Sequence, residues 1–505
     1  LTLLCFKHKH LYMKNNTLVK YKYKTEPFNH QRDALTHCFD KEFFALFMEM
    51  GTGKSKVLID NIACLYLDNK INFALIVAPK GVYRNWVERE IPQHFPDDIN
   101  FRVIEWFSNP NKTQQKKIAS VKEPFDGLTI FVMNVEIFSS VKGKTVGTWL
   151  ATKFGGKGLI AIDESTTIKN HKSKRTKNLI KIAKGFWYTR ILTGSPVTNS
   201  PMDIFSQVEF LRSGALGFNN YYVFQGRYAN LQIRNMGTTS FRQIVGFKNL
   251  DELNHKLDAF SFRVLKKDCL DLPEKLYVPR YVTLTSRQHE LYEQIRKEAL
   301  VLFEDGKMAS ATQVVTQMLR LQQILSGYIK TDDGDQEDFD TNRLSALLDI
   351  CHENSGKLII WSRFRYDISN IYQALTKTFG DGCAAMFFGD TTDEERSNIV
   401  DKFQDPNSDL RFFIGNPSVG GRGLTLTEAN TVVYYANDFN LDTRIQSEDR
   451  CHRIGQKNSV TYIDLISENT IDERIVKSLV NKINLSAKVL GEEAKEWLSI
   501  KSKKS

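Results

Sequence analysis

Nowhere in its 505 residues does the chain hold an apolar run approaching the roughly eighteen residues that a membrane-spanning helix needs. No small-residue cleavage site follows an apolar core near the N-terminus either. The sequence is therefore expected to be soluble and intracellular, cytoplasmic in a bacterium or phage-infected cell and nuclear in a eukaryote. Seven cysteines (Cys5, Cys38, Cys64, Cys269, Cys351, Cys383, Cys451) are scattered and odd in number, with no C-x-x-C pair. That spacing argues against a disulfide framework and a zinc site, and for a reducing compartment. Nuclease, methyltransferase and chromatin-reading signatures are also missing. Met13, followed by a polar, lysine-bearing stretch, reads as a start residue, and no function is placed on Leu1–Tyr12.

Lys and Arg together number 69 against 59 Asp and Glu, a net charge of +10. This suits a surface that holds a polyanion, although charge alone does not establish one. The length leaves room for two to four domains.

The densest chemical signal in the first half is M-E-M-G-T-G-K-S at Met48–Ser55. In a P-loop, glycines let backbone N–H groups close around phosphates at a helix start, while a lysine and a hydroxyl supply a cation and a magnesium ligand. Gly51, Gly53, Lys54 and Ser55 fit those roles, with Met48 standing where the strict pattern has glycine. From Phe43 onward, apolar runs alternate with turns and helical patterns, which predicts a parallel sheet. F-F-A-L-F, A-L-I-V-A-P-K, T-I-F-V-M-N and L-I-A-I-D-E-S-T are its strands. The last ends in Asp163 and Glu164, where sheets of this kind gather ligands. Asp163 would hold magnesium, and Glu164 would orient the water that attacks the γ-phosphate. I-L-T-G-S-P-V-T-N adds Thr193 and Ser195 as candidates for sensing phosphate state.

From Lys357 the alternation restarts (K-L-I-I-W-S-R-F, A-A-M-F-F-G-D-T-T, R-F-F-I-G-N-P-S-V-G-G-R-G-L, T-V-V-Y-Y-A) without a second P-loop. The ordered set M-G-T-G-K-S, A-P-K-G-V-Y-R-N-W, D-E-S-T-T-I-K-N, L-T-G-S-P-V-T-N, F-R-V-L-K-K-D-C-L-D-L-P-E-K, W-S-R-F, G-G-R-G-L-T-L-T-E-A-N and D-R-C-H-R-I-G-Q resembles the Swi/Snf-like group of superfamily-two helicase-related ATPases. It covers most of Pro27 to about Lys477. One departure is Thr166, where the family commonly carries histidine.

The resemblance implies an α/β fold: two RecA-like lobes with parallel sheets flanked by helices, plus helical protrusions between them. The expected divisions are an N-terminal lobe over 13–260 with a helical protrusion near 201–260, a crossing segment with a second protrusion over 261–348, a C-terminal lobe over 349–490 and a basic tail over 491–505. ATP and Mg2+ are the implied cofactors, and double-stranded DNA, bound without sequence preference, is the implied partner. Gln31, Met50, Gly51, Thr52, Gly53, Lys54, Ser55 and Gly423 match ATP-binding positions, and Ser55 and Asp163 the metal positions. Arg450 and Arg453, three apart on an expected helix, match arginine fingers, which speed phosphoryl transfer on the order of a thousandfold or more. Thr193, Ser195 and Gln446 match coupling positions. Lys80, Asn85 and Trp86, with Ser362, Arg363, Thr391, Ser418, Gly420 and Gly421, match positions that contact the DNA backbone. Core packing is an equal alternative for Trp86 and the preferred one for Trp361, which lies inside an apolar strand. Arg263, Lys266 and Lys267 are expected to track the duplex, and acidic Thr331–Asn342 to be a solvated loop.

The reading is an ATP-driven motor translocating on duplex DNA. Its rivals are a strand-separating or annealing helicase and a non-catalytic DNA clamp.

Overall fold

The structure is a computed structural model that describes residues 16–107, 109–236, 239–304, 311–330, 335–420 and 424–492. Its strands are β1 (Phe43–Met48), β2 (Phe73–Ala78), β3 (Phe101–Glu105), β4 (Leu128–Asn134), β5 (Gly158–Asp163), β6 (Tyr188–Leu192), β7 (Ala229–Met236), β8 (Thr239–Phe247), β9 (Ser261–Val264), β10 (Lys275–Val282), β11 (Tyr328–Lys330), β12 (Gln336–Asp338), β13 (Leu358–Trp361), β14 (Ala384–Phe387), β15 (Phe412–Gly415), β16 (Thr431–Tyr434) and β17 (Val460–Ser467).

Two compact units form. The first comprises the chain up to Pro196, Met202–Phe224 and His255–Cys269; the second comprises Val197–Pro201, Gln225–Asn254 and the chain from Leu270. In the first unit a seven-stranded sheet runs in the order β3-β4-β2-β5-β6-β1-β9 with every pair parallel. Strands buried on both faces read as unbroken apolar runs, and β1, β2, β4 and β5 do so. The order reverses direction around β1, β5 and β6, so the strand ends that carry the P-loop and Asp163 lie close together, as ligand sites do in open α/β sheets.

The second unit carries a six-stranded parallel sheet in the order β10-β17-β16-β13-β15-β14. Alternate residues divide its core in two: Leu358, Ile360, Phe412 and Ile414 pack on one face, Ile359, Trp361, Phe413 and Val432 on the other. Trp361 is fully enclosed, as its place in an apolar strand implies.

Strand pairing moves two of the expected boundaries and places a hairpin inside one expected helical segment. Ser261–Val264 completes the first sheet beside β1, so the N-terminal lobe continues past 260. Lys275–Val282 pairs along its whole length with β17, which makes part of the supposed crossing an edge strand of the second sheet. Within 201–260, the helices Asp203–Leu211, Tyr221–Tyr228 and Leu250–Asp258 are interrupted by an antiparallel hairpin of β7 and β8. The backbone groups of Ala229–Met236 and Thr239–Phe247 find their partners across that ladder rather than in a helix. The acidic segment is partly ordered too: Gln336–Asp338 pairs with Tyr328–Lys330, while 331–334 lie outside the described residues. So do Leu1–Tyr12, Met13 and all of the tail beyond Glu492. Among the described residues no helix is long and apolar enough to cross a membrane, and no His/Cys/Asp/Glu group is arranged to hold a metal.

Candidate functional site

In the first unit, the buried strand β1 delivers the chain to a turn at Glu49–Gly53, after which the helix Lys54–Leu67 begins. Gly51 (φ 82°) and Gly53 (φ 85°) take left-handed conformations that other residues enter only under strain. A Cβ at 53 would also stand 2.1 Å from the Gln31 Nε2, so a larger residue there would have to displace that amide. Gln31 lies under the loop: its Nε2 donates to the Thr52 carbonyl at 3.0 Å and its Oε1 accepts from the Phe28 N–H at 3.1 Å. The His30 Nε2 also meets the Thr52 carbonyl, at 2.8 Å. The Thr52 hydroxyl donates to the Glu49 carbonyl at 2.7 Å, and the buried Lys54 reaches the same carbonyl at 3.5 Å. Met50 and Ser55 are half-buried at the mouth of this turn.

Asp163 ends β5 as a buried carboxylate. Burial pushes its carboxyl up, opposed by the nearby Lys54 ammonium and by a hydrogen bond from the Trp86 indole. The Trp86 Nε1 donates to Asp163 Oδ2 at 3.1 Å, and the Glu164 N–H donates to Oδ1 at 3.0 Å. Trp86 is 1% exposed, so of its two expected places its ring takes the core. It opens a π-helical turn, Trp86–Glu90, inside the helical stretch 83–94. Glu164 sits at φ 50°, a left-handed conformation held by a non-glycine residue and of the kind that clusters at active sites. A glycine-lined turn at a helix start, a lysine, a hydroxyl and a buried strand-end carboxylate form a donor set that fits a magnesium-bound nucleoside triphosphate.

Behind Glu164, the Ser165 hydroxyl donates to Gln207 Oε1 at 2.7 Å, while the Gln207 Nε2 donates at 2.8 Å to the carbonyls of Pro196 and Asp203. One fully buried amide thus joins the acidic turn to the T-G-S-P turn. Thr166 is buried beside it, and the Thr193 hydroxyl accepts the Ser195 N–H at 3.2 Å. Sequence reasoning passed over Gln207, whose signal was an amide within the apolar helix D-I-F-S-Q-V-E-F-L.

Of the basic cluster expected on DNA, Arg263 and Lys266 are tied into the fold, while Lys267 is exposed. Arg263 Nη1 donates to the carbonyls of Phe47 at 3.1 Å and Gly194 at 2.8 Å, and the Lys266 N–H donates to Glu49 Oε2 at 2.9 Å. Lys266 is buried, so these two residues brace the P-loop from below rather than facing a duplex. Lys80 is exposed with its N–H donated to Glu136 Oε2 at 3.0 Å, and Asn85 is half-buried.

In the second unit, Arg450 and Arg453 are not on a helix. The helix Leu441–Glu448 ends just before them and both occupy the turns that follow. Their common feature is an acceptor: Nη1 of each donates to the Leu424 carbonyl at 3.1 Å. The turn is held firmly from around. The Gln456 Nε2 donates to the carbonyls of Thr427 (3.0 Å) and Ala429 (2.8 Å), the Cys451 thiol to that of Ala429, and His452 meets the Pro273 carbonyl at 2.7 Å. Burial pushes the Cys451 thiol up to about 12. Just ahead, Arg444 donates to Glu448 at 2.8 Å and Asp464 at 3.0 Å. Burial alone would raise the Glu448 carboxyl, but Lys275 and Arg444 override it and hold it down at about 2. Gln446 is buried, with its Nε2 on Asp442 Oδ1 at 3.1 Å.

At the C-terminal ends of β13, β15 and β16 a cleft of about 230 Å³ is lined by Arg363, Asn416, Ser418, Asn437 and Asp438 among others. The Asn416 Nδ2 donates to the Arg363 carbonyl at 2.8 Å, and Arg363 itself reaches Gln322 Oε1 at 2.6 Å. Ser362 does not join them: its side chain is wholly buried and its hydroxyl donates to Asp367, which corrects its assignment to a DNA contact. Thr391 caps its own turn, accepting the Phe388 N–H at 3.1 Å. Gly420 closes the short helix Pro417–Gly420, whereas Gly421 and Gly423 lie outside the described residues.

Residues 35–327 match the SNF2-related domain family and 341–455 the helicase conserved C-terminal domain family. An uncharacterized ATP-dependent helicase of Mycoplasma pneumoniae is 27% identical over 457 residues, covering 90% of this chain and 40% of the relative. A human SWI/SNF-related matrix-associated actin-dependent regulator of chromatin, subfamily A member 1, is 28% identical over 469 residues, covering 88% of this chain and 41% of the relative. The chain thus spans about 40% of the length of such relatives. The Sulfolobus solfataricus SWI2/SNF2 ATPase core, solved in complex with dsDNA, aligns at a TM-score of 0.41 and 23% identity over 90% of this chain and 91% of that one.

Proposed function

The chain belongs to the SNF2-related family, and from that membership we propose that it hydrolyses ATP with magnesium and uses the cycle to translocate on double-stranded DNA. The observation that carries the reading is the meeting, in the first unit, of a glycine-lined turn and Lys54 with the buried strand-end carboxylate of Asp163.

In this reading the N–H groups around Gly51–Ser55 and the Lys54 ammonium bind and orient the phosphates. Ser55 and Asp163 hold magnesium, which when bound neutralises charge on the phosphate oxygens. Glu164 orients the attacking water, and Arg450 and Arg453 of the second unit neutralise charge that develops on the transferred group. Met50 and Gln31 border the nucleotide, with Gln31 also fixing the loop through Thr52. Thr193, Ser195 and Gln446 relay phosphate state. Lys80 and Asn85, with Arg363, Thr391, Ser418 and the glycines after it, grip the sugar–phosphate backbone, which makes affinity salt-dependent and insensitive to sequence.

The test is ATP hydrolysis with and without duplex DNA, paired with displacement of a third strand from a triplex. Stimulated hydrolysis with third-strand displacement and no fork unwinding supports the reading. Equal hydrolysis with and without duplex overturns it, and efficient fork unwinding replaces it with strand separation.

A further inference from the structure

Trp86 occupies a position that the reaction as described does not use. Its indole is 1% exposed, and its N–H is spent on one oxygen of Asp163 at 3.1 Å while the Glu164 N–H takes the other. A buried carboxylate with a donor on each oxygen has its plane and rotamer fixed, which is how residues behind a metal ligand set its geometry. Trp86 is also mechanically placed. It directly follows Lys80–Asn85, and it begins the π-helical turn Trp86–Glu90 within the stretch 83–94. A single π turn is a rare insertion that recurs at functional sites, and here it coincides with the residue that reaches Asp163. Trp361 offers the contrast: it is equally buried, yet its indole nitrogen meets no acceptor.

We infer that Trp86 is a positioning residue that ties the Lys80–Asn85 segment to the Asp163 carboxylate, so that a duplex engaging that segment changes how firmly Asp163 holds a divalent cation. The inference rests on the proposed motor function. It requires no movement of the indole out of the core. A shift of the 83–94 stretch along its axis moves the ring, and the ring carries the carboxylate with it.

The test uses the full chain with Mn2+ as a paramagnetic probe, titrated in the presence of a non-hydrolysable ATP analogue, with and without duplex DNA. In the parent chain duplex is expected to tighten Mn2+ several-fold. Trp86→Phe keeps the buried ring and deletes the donor. It is expected to weaken Mn2+ about 10- to 100-fold, the usual loss when a partner behind a metal ligand is removed, and to abolish the tightening by duplex. Trp361→Phe deletes a donor that has no acceptor and is expected to match the parent in both measurements. The inference is overturned if Trp86→Phe binds Mn2+ within twofold of the parent, or if duplex still tightens Mn2+ in that variant as it does in the parent. It is also overturned if the parent shows duplex-stimulated hydrolysis but no duplex effect on Mn2+. Failure of the motor reading looks different: the parent then binds no Mn2+–nucleotide and shows no duplex-stimulated hydrolysis.

Discussion

Arg450 and Arg453 donate to one carbonyl oxygen, that of Leu424, each from Nη1 at 3.1 Å. Two cations converging on a single backbone acceptor define a local direction for both guanidinium groups without a helix to impose it. Leu424 directly follows the G-G-R-G string in sequence, so both arginines are fastened to the residue that comes after it.

That fastening separates the two arginines experimentally. Arg450 is 2% exposed and Arg453 half-buried. Arg450→Ala is expected to lower both hydrolysis, by about a thousandfold, and the unfolding temperature; Arg453→Ala should lower hydrolysis about as much while leaving the unfolding temperature nearly unchanged. Steady-state kinetics beside thermal unfolding check this, and full turnover in Arg453→Ala would remove it from the transition state.

Glu164→Gln should retain ATP binding and lose nearly all hydrolysis, because an amide cannot polarise water as a carboxylate does. Its left-handed backbone yields a second expectation. Glu164→Gly relieves that strain, so it should be as inactive as the glutamine variant yet more stable by roughly 1 kcal/mol. Filter-binding of ATP, phosphate release and denaturant titration distinguish the two effects.

Gln207→Leu removes the amide that accepts from the Ser165 hydroxyl and donates to the Pro196 carbonyl. A loss of roughly 2–4 kcal/mol is expected in denaturant unfolding, since orphaned buried polar groups keep their desolvation cost. An unchanged unfolding midpoint would mean that the amide does not join the two turns.

Burial pushes the Asp367 carboxyl up to about 7, against hydrogen bonds from Ser362 and Ser326 and the pull of Arg343. Its folded value stands above the unfolded one, so the folded state binds the extra proton between pH 4 and 7, and the charged carboxylate costs stability as pH rises through that window. Asp367→Asn removes this cost. The variant is expected to gain on the parent progressively from about pH 4 to pH 7, by on the order of 3–4 kcal/mol in all, and to hold a constant difference above it. Denaturant midpoints measured across that range check the sign; a variant that falls behind the parent as pH rises would refute it.

The strand-turn-helix part of the candidate site was largely legible because its parts are local. Gly51, Gly53 and Lys54 are fixed by a strand-turn-helix passage, and Asp163 by its place at the end of an apolar strand. The two-sheet plan was legible for the same reason. What escaped depends on contacts between segments distant in sequence. Trp86 beside Asn85 reads equally as a DNA contact or as core until the pairing of β2 and β5 brings β5's end to it, 77 positions along the chain. Arg263 reads as a surface cation because nothing local reveals that β9 closes the sheet beside β1, which turns the guanidinium toward Phe47 and Gly194. Ser362 escaped through a nearer contact, its hydroxyl claimed by an aspartate five residues on. The arginine pair failed in the opposite way: spacing of three suggested a helix, but the helix stops at Glu448 and the turns after it are set by Gln456 and His452.

Cys451, wedged between Arg450 and His452, is sealed from solvent and its thiol pushed up to about 12. Alkylating reagents attack the thiolate and need access, so this sulfur stays silent while the latch is shut. An opening of this turn that breaks the thiol's bond to the Ala429 carbonyl would expose it. The chain therefore carries its own chemical stopwatch, and the rate of labelling at one atom would time the opening without any foreign tag.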